Sequence, residues 1–304
     1  MQRNLFIIWV ISAASVGCAQ SVRSSSSSLD LTNVAHRNQA FLKTRGSTDP
    51  NQEVVFYWKG QIYARSNNPD SPINKESTRA PLFHFEGFNI ARFIPTEEGI
   101  QMLSREVSFY LDSQGEIIDC WDNPFNGSKQ RVVHVFNDPV NFKISSPDFR
   151  IQGDTVSWLI DVNLIYPSPL SAGDYGDYSP GEKYRSFEMF NFLVKQDDLR
   201  DPVIKSAPTQ MTWSRVGQFL PWMRMGNQEG ELVYSTSGYK VLAGFSGLPK
   251  KLREQVLLRA PKYVSAPKEF AKPNMTSWRF FKEQYDNGNY DGRCTDPLNS
   301  KERE

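Results

Sequence analysis

The sequence is poor in the residues that most often announce chemistry. It holds three histidines and three cysteines in 304 residues. No Cys-x-x-Cys pair, His-Glu-x-x-His helix, Gly-x-Ser-x-Gly nucleophile turn or Gly-rich phosphate loop occurs anywhere in it. Those absences exclude the recognisable zinc proteases, thioredoxin-like redox proteins, serine hydrolases and P-loop enzymes. Charge of one sign is lacking too, with 35 basic residues against 34 acidic and a formal net charge of +1. Without a basic patch or a block of like charge there is no footprint for nucleic acid or for an anionic membrane surface. Long apolar runs are also missing. The unbroken stretch from Leu5 to Val10 falls far short of the ~20 residues that cross a bilayer as a helix. No transmembrane segment is therefore expected in the mature chain.

That short run is informative in another way. It follows Met1-Gln2-Arg3-Asn4 and gives way to small residues through Gly17-Cys18-Ala19. A positive start, a brief apolar stretch and a small-residue exit make a secretory signal over residues 1–19, cleaved after Ala19. Ser15-Val16-Gly17-Cys18 also resembles the signal whose cysteine becomes lipidated, departing from it at Ser15. The expectation is an exported protein, periplasmic or secreted, either released or held to a membrane by a lipid on Cys18. Residues 20–50, with five serines in a row at 24–28, read as a disordered polar tether. Residues 51–304 then make a single β-rich domain. Once Cys18 leaves the count, Cys120 and Cys294 remain. They form a disulfide in an oxidising compartment, or they stay as two buried thiols.

What the chain does have is aromatic and β-branched residues in short runs, broken by Gly, Pro, Asn and Asp. That is a strand-and-turn pattern. Residues 105–112 alternate, with Val107, Phe109 and Leu111 on one face and Glu106, Ser108 and Tyr110 on the other. Strands are expected over 54–65, as a strand pair or one long bent strand with Gly60 as the break, over 82–93 with an interruption at Gly87, and over 116–121, 131–137, 149–152, 155–166 and 184–195. Residues 231–243 are expected to fold as a hairpin about Thr236-Ser237-Gly238. Helical spacing is confined to 248–259 and to 276–286, where Thr276 or Asn274 supplies the cap. With no βαβ rhythm the fold class is all-β. A single antiparallel β-barrel with two or three short peripheral helices is expected, a two-sheet sandwich being the alternative.

Three groups of residues carry candidate chemistry. His84 and Glu86 leave the same face of one strand, and His134 sits on another. Together they have the parts of a two-histidine, one-carboxylate metal site or of a metal-free acid–base site. Buried, hydrogen-bonded histidines explain the same pattern. Asp119 to Gly127, containing Trp121, Asp122 and Asn123, is either a set of Asx-capped turns or the rim of a pocket. The segment Trp213 to Gly226 holds Arg215, Trp222, Met223 and Arg224, with Pro221 forbidding a continuous helix. As an arginine-flanked apolar loop it suits a small anionic ligand with an apolar body; as a core plug it needs no ligand.

Tyr57-Trp58-Lys59-Gly60, Phe83-His84-Phe85-Glu86-Gly87, Trp121-Asp122-Asn123-Pro124 and Pro221-Trp222-Met223-Arg224-Met225-Gly226 resemble domain-of-unknown-function family 1838, over roughly residues 50–290. The resemblance implies a single-domain bacterial protein and carries no activity or catalytic residue with it. The residues themselves point to an exported barrel that binds a small apolar or aromatic, anionic molecule. The alternative is an enzyme using His84, Glu86 and His134. The sequence names no cofactor.

Overall fold

The computed structural model describes residues 29–77, 80–144 and 147–294, so the export signal, Cys18 and the serine run lie outside the described residues. The strands are β1 (Val54–Arg65), β2 (Phe83–Thr96), β3 (Gly99–Leu111), β4 (Cys120–Asp122), β5 (Lys129–Arg131), β6 (Val135–Ile144), β7 (Phe149–Gln152), β8 (Thr155–Pro167), β9 (Lys183–Lys195), β10 (Thr209–Gly217) and β11 (Glu231–Val241). The helices are α1 (Val34–Arg45), α2 (Pro72–Ser77), α3 (Ala172–Tyr175), α4 (Gln196–Arg200), α5 (Lys250–Arg259) and α6 (Ser277–Asp286). Nine strands form one antiparallel sheet in the order β6-β3-β2-β1-β11-β10-β9-β8-β7, curled into a half-barrel. The expected antiparallel curl with short helices is present, and β6 and β7 remain as its two edges.

Alternation along each strand separates two cores. On the convex side, Val55, Phe88, Ile90, Val107, Phe109 and Leu111 pack under Leu252 and Val256 of α5. On the concave side lies a larger aromatic core, closed by α1 at one place and by α6 and the β10–β11 loop at another. This two-sided burial is why the second face of β3 is not solvated as its polar residues suggest: Ser108 and Tyr110 are both buried.

Three strands approach closely at one point. Trp58 on β1 stands in register between Gly87 on β2 and Gly238 on β11. A Cβ at Gly238 would collide with the Tyr57 carbonyl, and one at Gly87 with Ser108 and the Val107 carbonyl. Close strand approach leaves room only for hydrogen there, and the Trp58 indole donates to Ser108 Oγ at 3.2 Å. Of the two readings of 54–65 the single long strand is the one present, and the interruption expected at Gly87 is corrected, since β2 runs through it. The hairpin expected at 236–238 is likewise corrected: β11 runs straight through, Thr236 pointing inward and Ser237 outward.

Three further expectations are corrected. Residues 209–217, read in part as a loop, are β10, whose inward positions Met211, Trp213 and Arg215 are buried. His134 lies in the link between β5 and β6 and not on a strand. The stretch 34–45, read as tether, is α1, capped by Asn33, whose side chain accepts from Ala35 and His36 N–H. Ala40 and Phe41 of α1 are buried, and the Phe41 ring meets Trp158 edge-on at 4.8 Å. Lys240 of β11 fixes the end of this helix by donating to the Lys43 and Gly46 carbonyls at 2.6 and 3.1 Å. Burial and the nearby Arg45 charge push the Lys240 amine well below its usual pKa, so these hydrogen bonds, more than its charge, hold it in place.

Candidate functional site

The concave face is not evenly filled. Inward-facing residues of β10 and β11, such as Trp213, Arg215 and Tyr234, are buried. Their counterparts on β8 and β9, Ile160, Val162, Leu164, Tyr166, Glu188 and Phe190, keep partial exposure. The concave side of β8 and β9 is therefore a partly exposed apolar and aromatic surface. Four charged side chains converge on it, from α1, β3, β9 and β10.

Arg45, in the last turn of α1, lies over the Phe56 ring at 4.6 Å, and its Nη2 donates to Asn89 Oδ1 at 2.7 Å. Its Nη1 is buried with no hydrogen-bond partner. Burial lowers its pKa to about 10, so it stays charged at neutral pH. Arg215 on β10 sits 3.4 Å from Glu188 Oε1 and donates to the Tyr184 hydroxyl at 3.3 Å. Its guanidinium lies 4.9 Å from the Tyr234 ring centre and 5.7 Å from that of Trp278 on α6. Burial opposes its charge, but Tyr184, Tyr234 and Glu188 outweigh that and raise its pKa.

The two carboxylates are held differently. Glu188 is fully engaged, its Oε2 also accepting from Trp213 Nε1 at 3.1 Å. Glu106 on β3 accepts from Asn137 Nδ2 at 3.2 Å. A bulge places Glu106 opposite Asn137: between the pairs Ser104–Val140 and Glu106–Asn137, β6 carries one extra residue in the Asp138–Pro139 step. Bulges commonly re-aim a side chain beside a site, and an edge strand tolerates the proline. Burial pushes the Glu106 carboxyl up to about 7; Glu188 adds to the rise, while Asn137, Arg215 and Arg45 oppose it.

Glu106 and Glu188 lie on strands five steps apart in the sheet. A flat sheet would separate them by about 24 Å at ~4.8 Å per strand. The influence of Glu188 and Arg215 on Glu106 therefore acts across the inside of the curl. None of the sequence-stated sites except Arg215 falls in this group. Arg45 lay in the presumed tether, and Glu106 alternated like an ordinary solvated residue.

The other candidates have structural partners. Glu86 accepts from the Tyr57 hydroxyl at 2.6 Å on the convex side, where His84 is also placed. His134 Nδ1 accepts from Tyr110 N–H at 3.2 Å, which leaves the proton of the neutral ring on Nε2, 3.5 Å from Asp119. Arg259 of α5 holds both oxygens of Asp119, at 2.6 and 3.0 Å. Burial lowers the pKa of His134 and keeps it neutral. Among the described residues no three His, Cys, Asp or Glu side chains gather as a cation site requires.

The Asp119–Gly127 and Pro221–Gly226 segments pack on each other. Asn123 Nδ2 donates to the Met223 carbonyl at 2.9 Å, and Trp121 meets Trp222 edge-on at 5.7 Å. Trp222 and Met223 are buried core. Asp122 is exposed, 3.8 Å from Lys129. Arg224, at a left-handed backbone position, turns outward to Asp177 at 3.5 Å. Cys120 is bonded to Cys294, with Cα atoms 5.5 Å apart. A separate groove of about 800 Å³, lined in part by Arg65, Asn163, Lys183, Arg185 and Gln218, opens at the strand ends. Its β8–β9 walls include the outward residues Ile165 and Phe187, and it does not take in the four convergent charges.

Residues 51–285 match the family described as protein of unknown function (DUF1838). The chain belongs to that family. No curated protein matches the sequence. The match spans β1 to α6 and so includes Glu106, Glu188 and Arg215, while Arg45 precedes it. No helix among the described residues is long and apolar enough to cross a membrane.

Proposed function

We propose that the partly exposed concave face of the half-barrel binds a small organic molecule with an apolar or aromatic body and an anionic group. The observation that carries this reading is the buried, unpartnered Nη1 of Arg45. Buried polar groups are nearly always paired, so an orphan guanidinium N–H above aromatic rings asks for an acceptor. Charge arithmetic agrees. Arg45 and Arg215 contribute two positive charges and Glu188 one negative, while Lys240, beside the same Phe56 ring as Arg45, is pushed toward its neutral form by burial and by Arg45, so with Glu106 protonated the group carries one uncompensated positive charge. A bound carboxylate neutralises it, while Ile160, Leu164 and Phe190 cover the body of the ligand. The chain does this outside the cytoplasm, as a periplasmic or secreted protein that is either free or anchored through Cys18.

The test is a titration of the protein with a panel of aromatic and aliphatic carboxylates, followed by tryptophan fluorescence. Aromatic carboxylates should bind, their uncharged amides at least tenfold more weakly, and Arg45→Gln should abolish the preference. Equal binding of acids and amides would defeat the anionic part of the reading. No binding by either would defeat the whole.

A further inference from the structure

The groove at the strand ends has a volume of about 800 Å³, within the usual range of small-molecule sites. Its floor is a row across three strands, where Asn163 on β8, Phe187 on β9 and Val216 on β10 stand in register and point outward. Ile165 lies beside them, opposite Arg185. Phe187 is 39% exposed and Ile165 60%, so an aromatic ring and a branched aliphatic meet solvent among polar neighbours. The walls are the loops 177–182 and 225–230, and both are fixed. Gln218 donates to the Pro180 and Lys183 carbonyls at 3.1 and 3.0 Å and accepts from Arg185 N–H at 2.8 Å. Gly226 N–H donates to the Asp177 carbonyl at 2.8 Å, which ties one loop to the other. A Cβ at Gly230 would sit 2.8 Å from the Phe219 ring, so the second loop also lies tightly against its neighbour. The concavity is pre-formed, as binding sites usually are.

The chemistry of the lining narrows the guest. The carboxylates of Asp177, Glu182, Glu229 and Glu231 offset the cations Arg65, Lys183 and Arg185, and Arg65 already pairs with Glu231 at 2.7 Å. A strongly anionic guest would face the acids, and a cation would face Lys183 and Arg185. A purely apolar guest would strip water from all of them without return. The exposed amides of Asn67, Asn163, Asn227 and Gln228 have no partner among the described residues, and each offers both donors and an acceptor. Ser186 Oγ, also on the lining, is buried without a hydrogen-bond partner. Free amides, balanced charges and an exposed ring call for a neutral guest that donates and accepts along its edge and presents C–H bonds on its face.

We infer that this groove binds a short neutral oligosaccharide, with one sugar ring lying on Phe187 and Ile165 and its hydroxyls meeting Asn163, Asn227 and Lys183. Sugar C–H bonds carry partial positive charge and suit the negative face of the Phe187 ring. Each hydroxyl donates once and accepts besides, which matches amides and charges of both signs. An extended peptide offers donors and acceptors too, but it gains affinity chiefly by main-chain pairing at an open sheet edge. On this floor β9 and β10 are already paired on both sides. The lining leaves out Arg45, Glu106, Glu188 and Arg215, so the groove and the concave face are separate sites.

The probes are cellotriose, maltotriose and tri-N-acetylchitotriose, each titrated into the full isotope-labelled chain while backbone amide shifts are followed by NMR. At least one should give saturable shifts confined to the groove, at Asn163, Phe187 and Asn227. Phe187→Ala should weaken that sugar about tenfold, the scale of one aromatic contact, while Phe187→Trp keeps it. Asn163→Ala should weaken it as well. No saturable shift with any of the three sugars overturns the proposal, and so does binding that Phe187→Ala leaves unchanged. Groove shifts with an alternating Glu-Lys peptide and with none of the sugars overturn it in favour of a protein partner. An aromatic carboxylate that displaces the sugar also overturns it, since the two sites would then be one. Failure of carboxylates to bind the concave face leaves the sugar result untouched. If Phe187→Ala does not fold, the Trp variant and the wild-type shift map still decide.

Discussion

Replacing Glu106 by glutamine should stabilise the protein, and only above mildly acidic pH. The side chain is half-buried on the concave side, and its carboxyl is raised from an ordinary 4.5 to about 7 chiefly by burial. The folded state therefore holds a proton between those values that the unfolded state has released. The unfolded state binds fewer protons in that window, so stability falls as pH rises through it and levels off above about 7. The size of the fall follows from the same two values, at about 3 kcal/mol. Glutamine keeps an acceptor for Asn137 but has no proton to lose, so this contribution vanishes in the variant. The assay is urea denaturation of both proteins at intervals from pH 4.5 to 8.5, comparing midpoints at constant slope. The variant should match the wild type near pH 4.5 and exceed it by about 3 kcal/mol at pH 8. Parallel curves, or a gap that narrows with rising pH, would refute the claim that this carboxyl is held in a charge-averse place.

Other outcomes follow from the packing. Phe41→Ala should cost about 3–5 kcal/mol in denaturant unfolding, because the fully buried ring bridges α1 to Trp158 and Phe93. A chain beginning at residue 51 should expose the concave core and bind a hydrophobic dye. Cys120→Ser should lower stability by up to about 5 kcal/mol under oxidising conditions, the chain-entropy scale for closing a span of 174 residues. Under reducing conditions it should change little. Gly238→Ala should cost about 1–3 kcal/mol, since the new methyl meets the Tyr57 carbonyl and Met211 beside Trp58. The shift should be visible as a changed tryptophan spectrum.

How far the sequence reveals this protein depends on whether a residue's neighbours lie near it in the chain. The alternation of Val107, Phe109 and Leu111 reports a strand because period two is a local property, and α6 was legible from Trp278, Phe281 and the Thr276 cap. Residues 34–45 gave no such signal. Polar residues dominate the helix, and what makes it part of the domain is Phe41 meeting Trp158 more than a hundred positions away. Gly238 looks like a turn residue, yet it is there because a Cβ would meet the Tyr57 carbonyl of the neighbouring strand. The site suffers from the same limit. Arg215 stood out among aromatics, whereas Glu106 and Arg45 look like surface charges until the curl brings β9 and β10 round to face β3. The nearest clue was a lone acid between buried positions on a strand whose second face also carries Ser108 and Tyr110.

A crystal structure of the full chain grown with an aromatic carboxylate tests the central claim most directly. The account predicts density for the ligand inside the half-barrel, its carboxylate on Arg45 Nη1 and its ring against Ile160 and Phe190. A concave face filled by the protein's own side chains, or a ligand seated in the outer groove near Arg65 and Arg185, would contradict it.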